Sequence, residues 1–113
     1  MLDAIASKLE HYMDLLGKRQ QLVAANIANA DTPGYKTKDI DFASAMQESG
    51  AFPDSPTLHA AEVPNLPGKP DGNNVSLDRE SKNLAENALR FHIATQLVQN
   101  QVRLSRTAMQ EIR

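Results

Sequence analysis

Few residues in this chain are spaced for chemistry. Asp39 and Asp41 form a D-x-D pair, which grips a divalent cation in some enzymes but also arises by chance in acidic turns. The three histidines, His11, His59 and His92, stand far apart, and none has a second histidine at helical spacing. Asn74-Val75-Ser76 fits the pattern of a glycosylation acceptor, although Ser76 is better explained as the cap of a following helix. No nucleophile elbow, phosphate-binding glycine loop or dinucleotide fingerprint occurs, and there is no cysteine for a thiolate site or a disulfide. The expectation is a protein that is not an enzyme, with no metal and no cofactor.

The elements that would position such residues are also modest. The chain has 113 residues, enough for one domain, and residues 1–113 read as a single unit. Apolar residues make up 41% of it, but 15 residues are alanine and only five are aromatic. Small side chains fill a core poorly, and a domain of this size buries only about two-thirds of its unfolded surface. A net charge of −2 argues against a nucleic-acid partner, and nothing points to a small-molecule substrate. Asp3, Lys8 and Glu10 interrupt the first ten positions, unlike the apolar run of a secretory signal.

All six prolines fall between residues 31 and 75, where seven acidic side chains face three basic ones. Proline removes a backbone donor and clashes with the preceding helical turn. The two flanks are therefore free to be helical and the middle is not. The fold expected is mainly α: helices over 1–31 and 76–113 packing as a coiled-coil-like pair, joined by an irregular segment over 32–75 with at most short strands.

In the first helix Leu2, Ile5, Leu9, Tyr12, Leu16 and Val23 recur at steps of three, four and seven, the periodicity of a coiled-coil seam. Leu15, Leu22 and Ile27 widen the stripe, while Arg19 and Asn26 fall on it. In the last helix the row is Leu77, Leu84, Ala88, Phe91, Val98, Val102, Met109 and Ile112, flanked by Leu89, Ile93, Leu97 and Leu104. Ser76 is placed to cap that helix, with Asp78 and Glu80 in its first turn. Arg103, Arg106 and Arg113 lie toward its end. At 1.5 Å per residue the two helices span about 40 and about 50 Å. The stripes are too broad to bury against each other, so both helices are expected to complete their packing against other subunits. Leu9, Leu16, Val23, Leu84, Phe91, Val98, Val102 and Met109 are the candidates for that packing.

The first helix should stop near Ala30. Thr32 precedes Pro33, which disfavours helical backbone, and Pro33-Gly34 suits the centre of a type II turn. Ile40, Phe42 and Met46 fit a short strand or a helical turn. Residues 50–74, with Gly50, Gly68, Gly72 and five prolines, read as an extended loop. Asp71-Gly72-Asn73-Asn74 reads as a turn leading into the last helix.

Residues 24–42, Ala-Ala-Asn-Ile-Ala-Asn-Ala-Asp-Thr-Pro-Gly-Tyr-Lys-Thr-Lys-Asp-Ile-Asp-Phe, carry a resemblance. They are similar to the N-terminal motif of the bacterial flagellar rod and hook proteins, through Asn26, Asn29, Thr32, Pro33, Gly34 and Tyr35. The last helix, with Val75, Leu77, Glu80, Asn83 and Asn87-Ala88-Leu89-Arg90-Phe91, resembles the C-terminal helix of the same family. Asp31 before the turn, Asp39-Ile40-Asp41-Phe42 after it, and the phrase Ala85-Glu86-Asn87 in the last helix are closest to its proximal-rod members.

That resemblance implies a structural subunit of the basal-body rod, assembling helically into the drive shaft around the export channel. It implies as partners further copies of the chain, the sibling rod protein FlgC, the adaptor FliE and the flagellar type III export apparatus. It also implies a periplasmic location reached without a cleaved signal peptide. Phe42-Ala43-Ser44-Ala45-Met46 resembles the family's export-gate motif through Phe42 and Met46, which are equally suited to packing on the helices. For Asn26 and Asn29, capping of the helix end and hydrogen bonds between subunits are both open. The alternative function is a coiled-coil adaptor or export-chaperone-like binding module, which would have no need of the Thr-Pro-Gly-Tyr turn. A small enzyme acting on the cell wall would need an acid/base pair in a cleft, and the middle segment offers no scaffold for one.

Overall fold

A computed structural model of the chain describes residues 2–47 and 60–112. It contains helix α1 (Leu2–Ala28), strand β1 (Lys38–Ile40), a short helix α2 (Phe42–Gln47), strand β2 (Ala60–Glu62) and helix α3 (Leu77–Glu111). His59 and the stretch 50–59 of the expected loop lie outside the described residues. The shape is elongated, 69 × 27 × 18 Å, because α3 alone has 35 residues and rises about 52 Å.

The long helices form the expected pair, and it runs antiparallel. Asn87 of α3 meets Leu16 and Gln20 of α1, and further along Arg90 reaches Tyr12. Leu16 and Val23 of α1 are buried in this contact zone, at 0% and 2% exposure. On α3 the buried residues are Glu80, Asn83, Asn87 and Ala94. The expected apolar row of α3 is displaced from them: Leu84, Phe91, Val102 and Met109 are exposed within the chain. Two stripes thus share α3, a polar one toward α1 and an apolar one beside it.

The described residues that follow the turn, β1 and α2, fold back along one side of α1. β1 and β2 pair antiparallel, with Lys38 opposite Glu62 and Ile40 opposite Ala60, and Val63 N extends the ladder to Thr37 O. Leu15, Ile40 and Ala45 form the core under this flap, with Leu22, Phe42 and Met46 packed against it. Asp41 starts α2: its carboxylate accepts from Ser44 N and Oγ, and its carbonyl from Ala45 N. Ser76 caps α3 as expected, accepting from Arg79 N in an extended conformation. The last turn of α3 carries no basic side chain, so Arg103 and Arg106 lie too early to neutralise the end of the helix dipole.

Candidate functional site

The junction between α1 and the flap is built from hydrogen bonds rather than apolar packing. α1 stops at Ala28. Asn29 then turns its side chain back, Nδ2 donating to Ala25 O, while its Oδ1 accepts from Thr32 Oγ1. Tyr35 N donates to Thr32 O, closing a turn in which Gly34 has a φ of 75°. Only glycine adopts that backbone without strain. The Thr32–Tyr35 turn therefore reverses the chain where the sequence placed it.

Asn26, 1% exposed, completes β1 from the helix side. Its Nδ2 donates to Lys38 O at 2.9 Å, and its Oδ1 accepts from Lys38 N at 3.1 Å and from Tyr35 Oη at 3.0 Å. One side-chain amide thus plays the part of a neighbouring strand for Lys38. Both asparagines of the motif are engaged inside the chain, where their buried polar atoms find partners.

The counterpart of this turn is the segment 69–75, which the sequence marks only as a turn. Asn73 is fully buried. Its Nδ2 donates to Asn29 O and Thr32 O, both at 2.8 Å, and its Oδ1 accepts from Val75 N at 2.8 Å. Around it Gly34 N donates to Asp71 O, Asn74 N to Tyr35 O, and Thr37 N to Asn74 Oδ1. Gly72, with φ of 88°, lies against Gly34: a Cβ on it would sit 3.4 Å from Gly34 Cα. Two glycine turns dock back to back, and Asn73 ties the start of α3 to the end of α1.

A charged bridge reinforces the same junction. Asp39 of β1 meets Arg19 of α1 at 3.3 Å and Arg79 of α3 at 2.9 Å. Arg79 also pairs with Glu80 at 2.9 Å, and the Glu80 side chain is fully buried. Arg19 donates to Asn83 Oδ1 and stands 5.6 Å over the Phe42 ring, which packs edge-on against Tyr12. Arg19, a charge on an apolar stripe, is thus the hub where both helices and the flap meet.

The D-x-D pair has separate structural uses. Asp39 is engaged by two arginines, and Asp41 caps α2, where hydrogen bonds from Ser44 hold its carboxyl below the ordinary value. Among the described residues no group of histidine and carboxylate side chains is gathered to hold a metal. His11 Nε2 lies 3.1 Å from Ala45 O and His92 contacts Gln96. No described helix is long and apolar enough to cross a membrane.

Of the expected motif residues, Asn26, Asn29, Thr32, Gly34 and Tyr35 meet in one hydrogen-bonded knot, while Pro33 is exposed at its tip. Phe42 and Met46 lie against the core on α2. Among the residues expected to pack against other subunits, Leu16 and Val23 are buried within the chain, Leu9 and Val98 are half-buried, and Leu84, Phe91, Val102 and Met109 are exposed. The sequence marks Asp39 only as half of a D-x-D pair and Asn73 only as a turn residue, and does not mark Arg79 at all. Their one signal was Arg19 and Asn26 on an apolar seam, two polar groups that burial obliges to find partners.

The sequence resembles known proteins over this same region and beyond it. A family model for flagella basal body rod proteins matches residues 13–36, the second half of α1 and the turn. The flagellar basal body rod protein FlgB of Salmonella typhimurium is 34% identical over 125 aligned residues, covering 90% of this chain and 90% of that protein. FlgB of Escherichia coli K12 is 35% identical over 124 residues, again with 90% of each covered. FlgB of Yersinia ruckeri is 30% identical over 136 residues, covering 98% of this chain and 99% of the relative.

Proposed function

We propose, from the premise that the chain belongs to the FlgB family of flagellar basal body rod proteins and is a structural subunit of the rod, that it builds the rod's proximal segment by helical self-assembly. The family is a structural one, and its place in the rod implies assembly with other rod components. The finer reading names those components: FlgC above, the adaptor FliE at the base, and more copies of the chain around a central export channel. In it, the rigid junction around Asn26, Asn73 and Asp39 fixes the angle between the helix pair and the flap. Contacts that do not close on themselves then build a tube, whose tight packing carries torque.

One observation supports this reading above the others. Leu84, Phe91, Val102 and Met109 are exposed along a 35-residue helix, and exposed large apolar side chains gathered on one element mark an interaction site. The subunit would reach the periplasm through the type III apparatus, without a cleaved signal peptide. Phe42 and Met46 would act as the export-gate motif while the chain is unfolded, and would join the core once it folds. The test is deletion with fractionation. Loss of the gene should abolish motility, and the protein should co-purify with intact basal bodies. Its recovery from the cytoplasm alone would overturn the reading.

A further inference from the structure

Arg79 carries the wrong charge for its place. It lies in the first turn of α3, three residues after the cap Ser76, where the helix dipole favours an anion. Asp78 and Glu80 on either side fit that rule and Arg79 does not. Its guanidinium is turned to two carboxylates instead. Nη1 donates to Glu80 Oε1 and Nη2 to Asp39 Oδ2, both at 2.9 Å, the second across 40 positions of sequence.

The flap of β1 and α2 needs such help. β1 and β2 have three residues each, β2 is exposed throughout, and a two-stranded pair is at best marginal alone. From α1, Asn26 holds Lys38 and Leu15 packs against Ile40 and Ala45. Among the described residues, the hydrogen bond between β1 and α3 is that of Arg79 to Asp39.

The two arginines at Asp39 are not equivalent. Oδ1 already accepts from Ile40 N at 2.7 Å. Arg19 Nε stands 3.3 Å from that oxygen without the alignment of a hydrogen bond, so Arg19 contributes charge alone. Arg79 has Oδ2 to itself, in a charge-assisted bond of the stronger kind. The Asp39 and Arg79 side chains are 17% and 25% exposed, so water competes for that bond only in part.

We infer that Arg79 is a latch that couples the flap to the helix pair. Docking of the first turn of α3 seats β1 and α2 over Leu15. When that turn lifts, Asp39 keeps only Ile40 N and the poorly aligned Arg19, and the flap opens while the body of the helix pair stays together. The coupling is reciprocal: a seated flap holds the first turn of α3 in place. It is a property of the single chain and does not depend on the rod-subunit reading.

The chain has no cysteine, so one reporter thiol at a time can follow each part in the full-length protein. Ala45→Cys reports the flap and Ala94→Cys the buried face of α3; the native residues are 5% and 1% exposed. Each is combined with Arg79→Met, which keeps an apolar stem and removes the guanidinium, and labelled with a maleimide. Labelling at Ala45→Cys should speed up at least about tenfold, the scale of one charge-assisted hydrogen bond, while Ala94→Cys changes less than about threefold. Arg79→Lys should fall between the parent and Arg79→Met at Ala45→Cys. Equal acceleration at both sites would mean that Arg79 only supports the fold as a whole, and would overturn the latch. No acceleration at Ala45→Cys would overturn it too. Should circular dichroism show Arg79→Met unfolded, Arg79→Lys decides: selective acceleration at Ala45→Cys supports the latch, and uniform or absent acceleration overturns it.

Discussion

Asn73→Ala is the substitution that most directly tests how the junction is held. The wild-type side chain makes three hydrogen bonds, two as donor to Asn29 O and Thr32 O and one as acceptor from Val75 N. Val75 is buried at 5% exposure, so its orphaned amide would bear the desolvation penalty of an unpaired donor, about 1–3 kcal/mol. Thr32 is exposed and Asn29 half-buried, so water replaces part of what those carbonyls lose, about 0.5–1 kcal/mol each. The sum is about 3 kcal/mol, a large share of the roughly 5–15 kcal/mol that holds a small domain folded.

Urea unfolding of the purified chain, followed by circular dichroism, should show a lower midpoint with an unchanged slope. Thermal melting should fall by roughly 10–20 °C. Asn73→Asp should be at least as damaging. It keeps an acceptor for Val75 N, but it sets carboxylate oxygens against two carbonyls that need a donor. A loss under about 0.5 kcal/mol for Asn73→Ala, or an Asn73→Asp variant milder than it, would refute the assignment of Asn73 as the tie between α1 and α3.

Asp39→Ala should destabilise by about 1–3 kcal/mol, since it leaves Arg19 and Arg79 facing each other in a partly screened site; chemical denaturation of the single variant checks this. Asp41→Ala, which removes only an exposed helix cap, should have a smaller effect in the same assay. The Asp41 carboxyl titrates below the usual value of 3.8 because Ser44 stabilises its charged form. Its contribution is therefore present above the ordinary carboxylate pKa and is lost as pH falls through the lowered one; Asp41→Asn should flatten the stability profile only on that acidic side, as read by melting against pH. Phe42→Ala should reduce secretion of the chain more than it reduces incorporation of subunit already outside, and secretion equal to the parent would remove the export role. Gly72→Ala should destabilise, because a side chain at its φ of +88° strains the backbone; melting temperature reports it.

The long elements were legible because their signals are local. Proline is absent from both flanks, the apolar rows have helical period, and Ser76 caps the last helix as its residue type predicts. The Thr32–Tyr35 turn was legible for the same reason, since Pro33 and Gly34 fix their own backbone. The partner of that turn was not. Asp71-Gly72-Asn73-Asn74 has ordinary turn chemistry, and nothing in a linear reading says that Asn73 reaches across 44 positions to Asn29. The strand pair was equally hidden, because Ala60–Glu62 has neither alternation nor β-branched residues. On α3 the apolar row concealed the fact that the polar stripe beside it, Glu80, Asn83 and Asn87, is the one that faces α1.

That choice of face decides where the hydrophobic stabilisation of this chain can come from. Within the described residues the large apolar side chains that are buried are Leu15, Leu16, Val23, Ile40 and Val75, five in all, while twelve others from Ile5 to Ile112 are exposed. Burying a side chain of this kind is worth about 1.5–3 kcal/mol, so the apolar surface that these twelve still expose holds a stabilisation comparable with that of the five buried ones, open only to a partner. The polar face toward α1 works in the opposite sense. Contacts such as Arg19 to Asn83 and Asn87 to Leu16 O are directional: they set the register of the pair but add little net energy. A chain built this way holds its shape through a few specific hydrogen bonds and keeps its apolar capital for neighbours. For a rod subunit the two requirements fit together, because register must be correct before assembly and a further apolar gain comes from assembly itself.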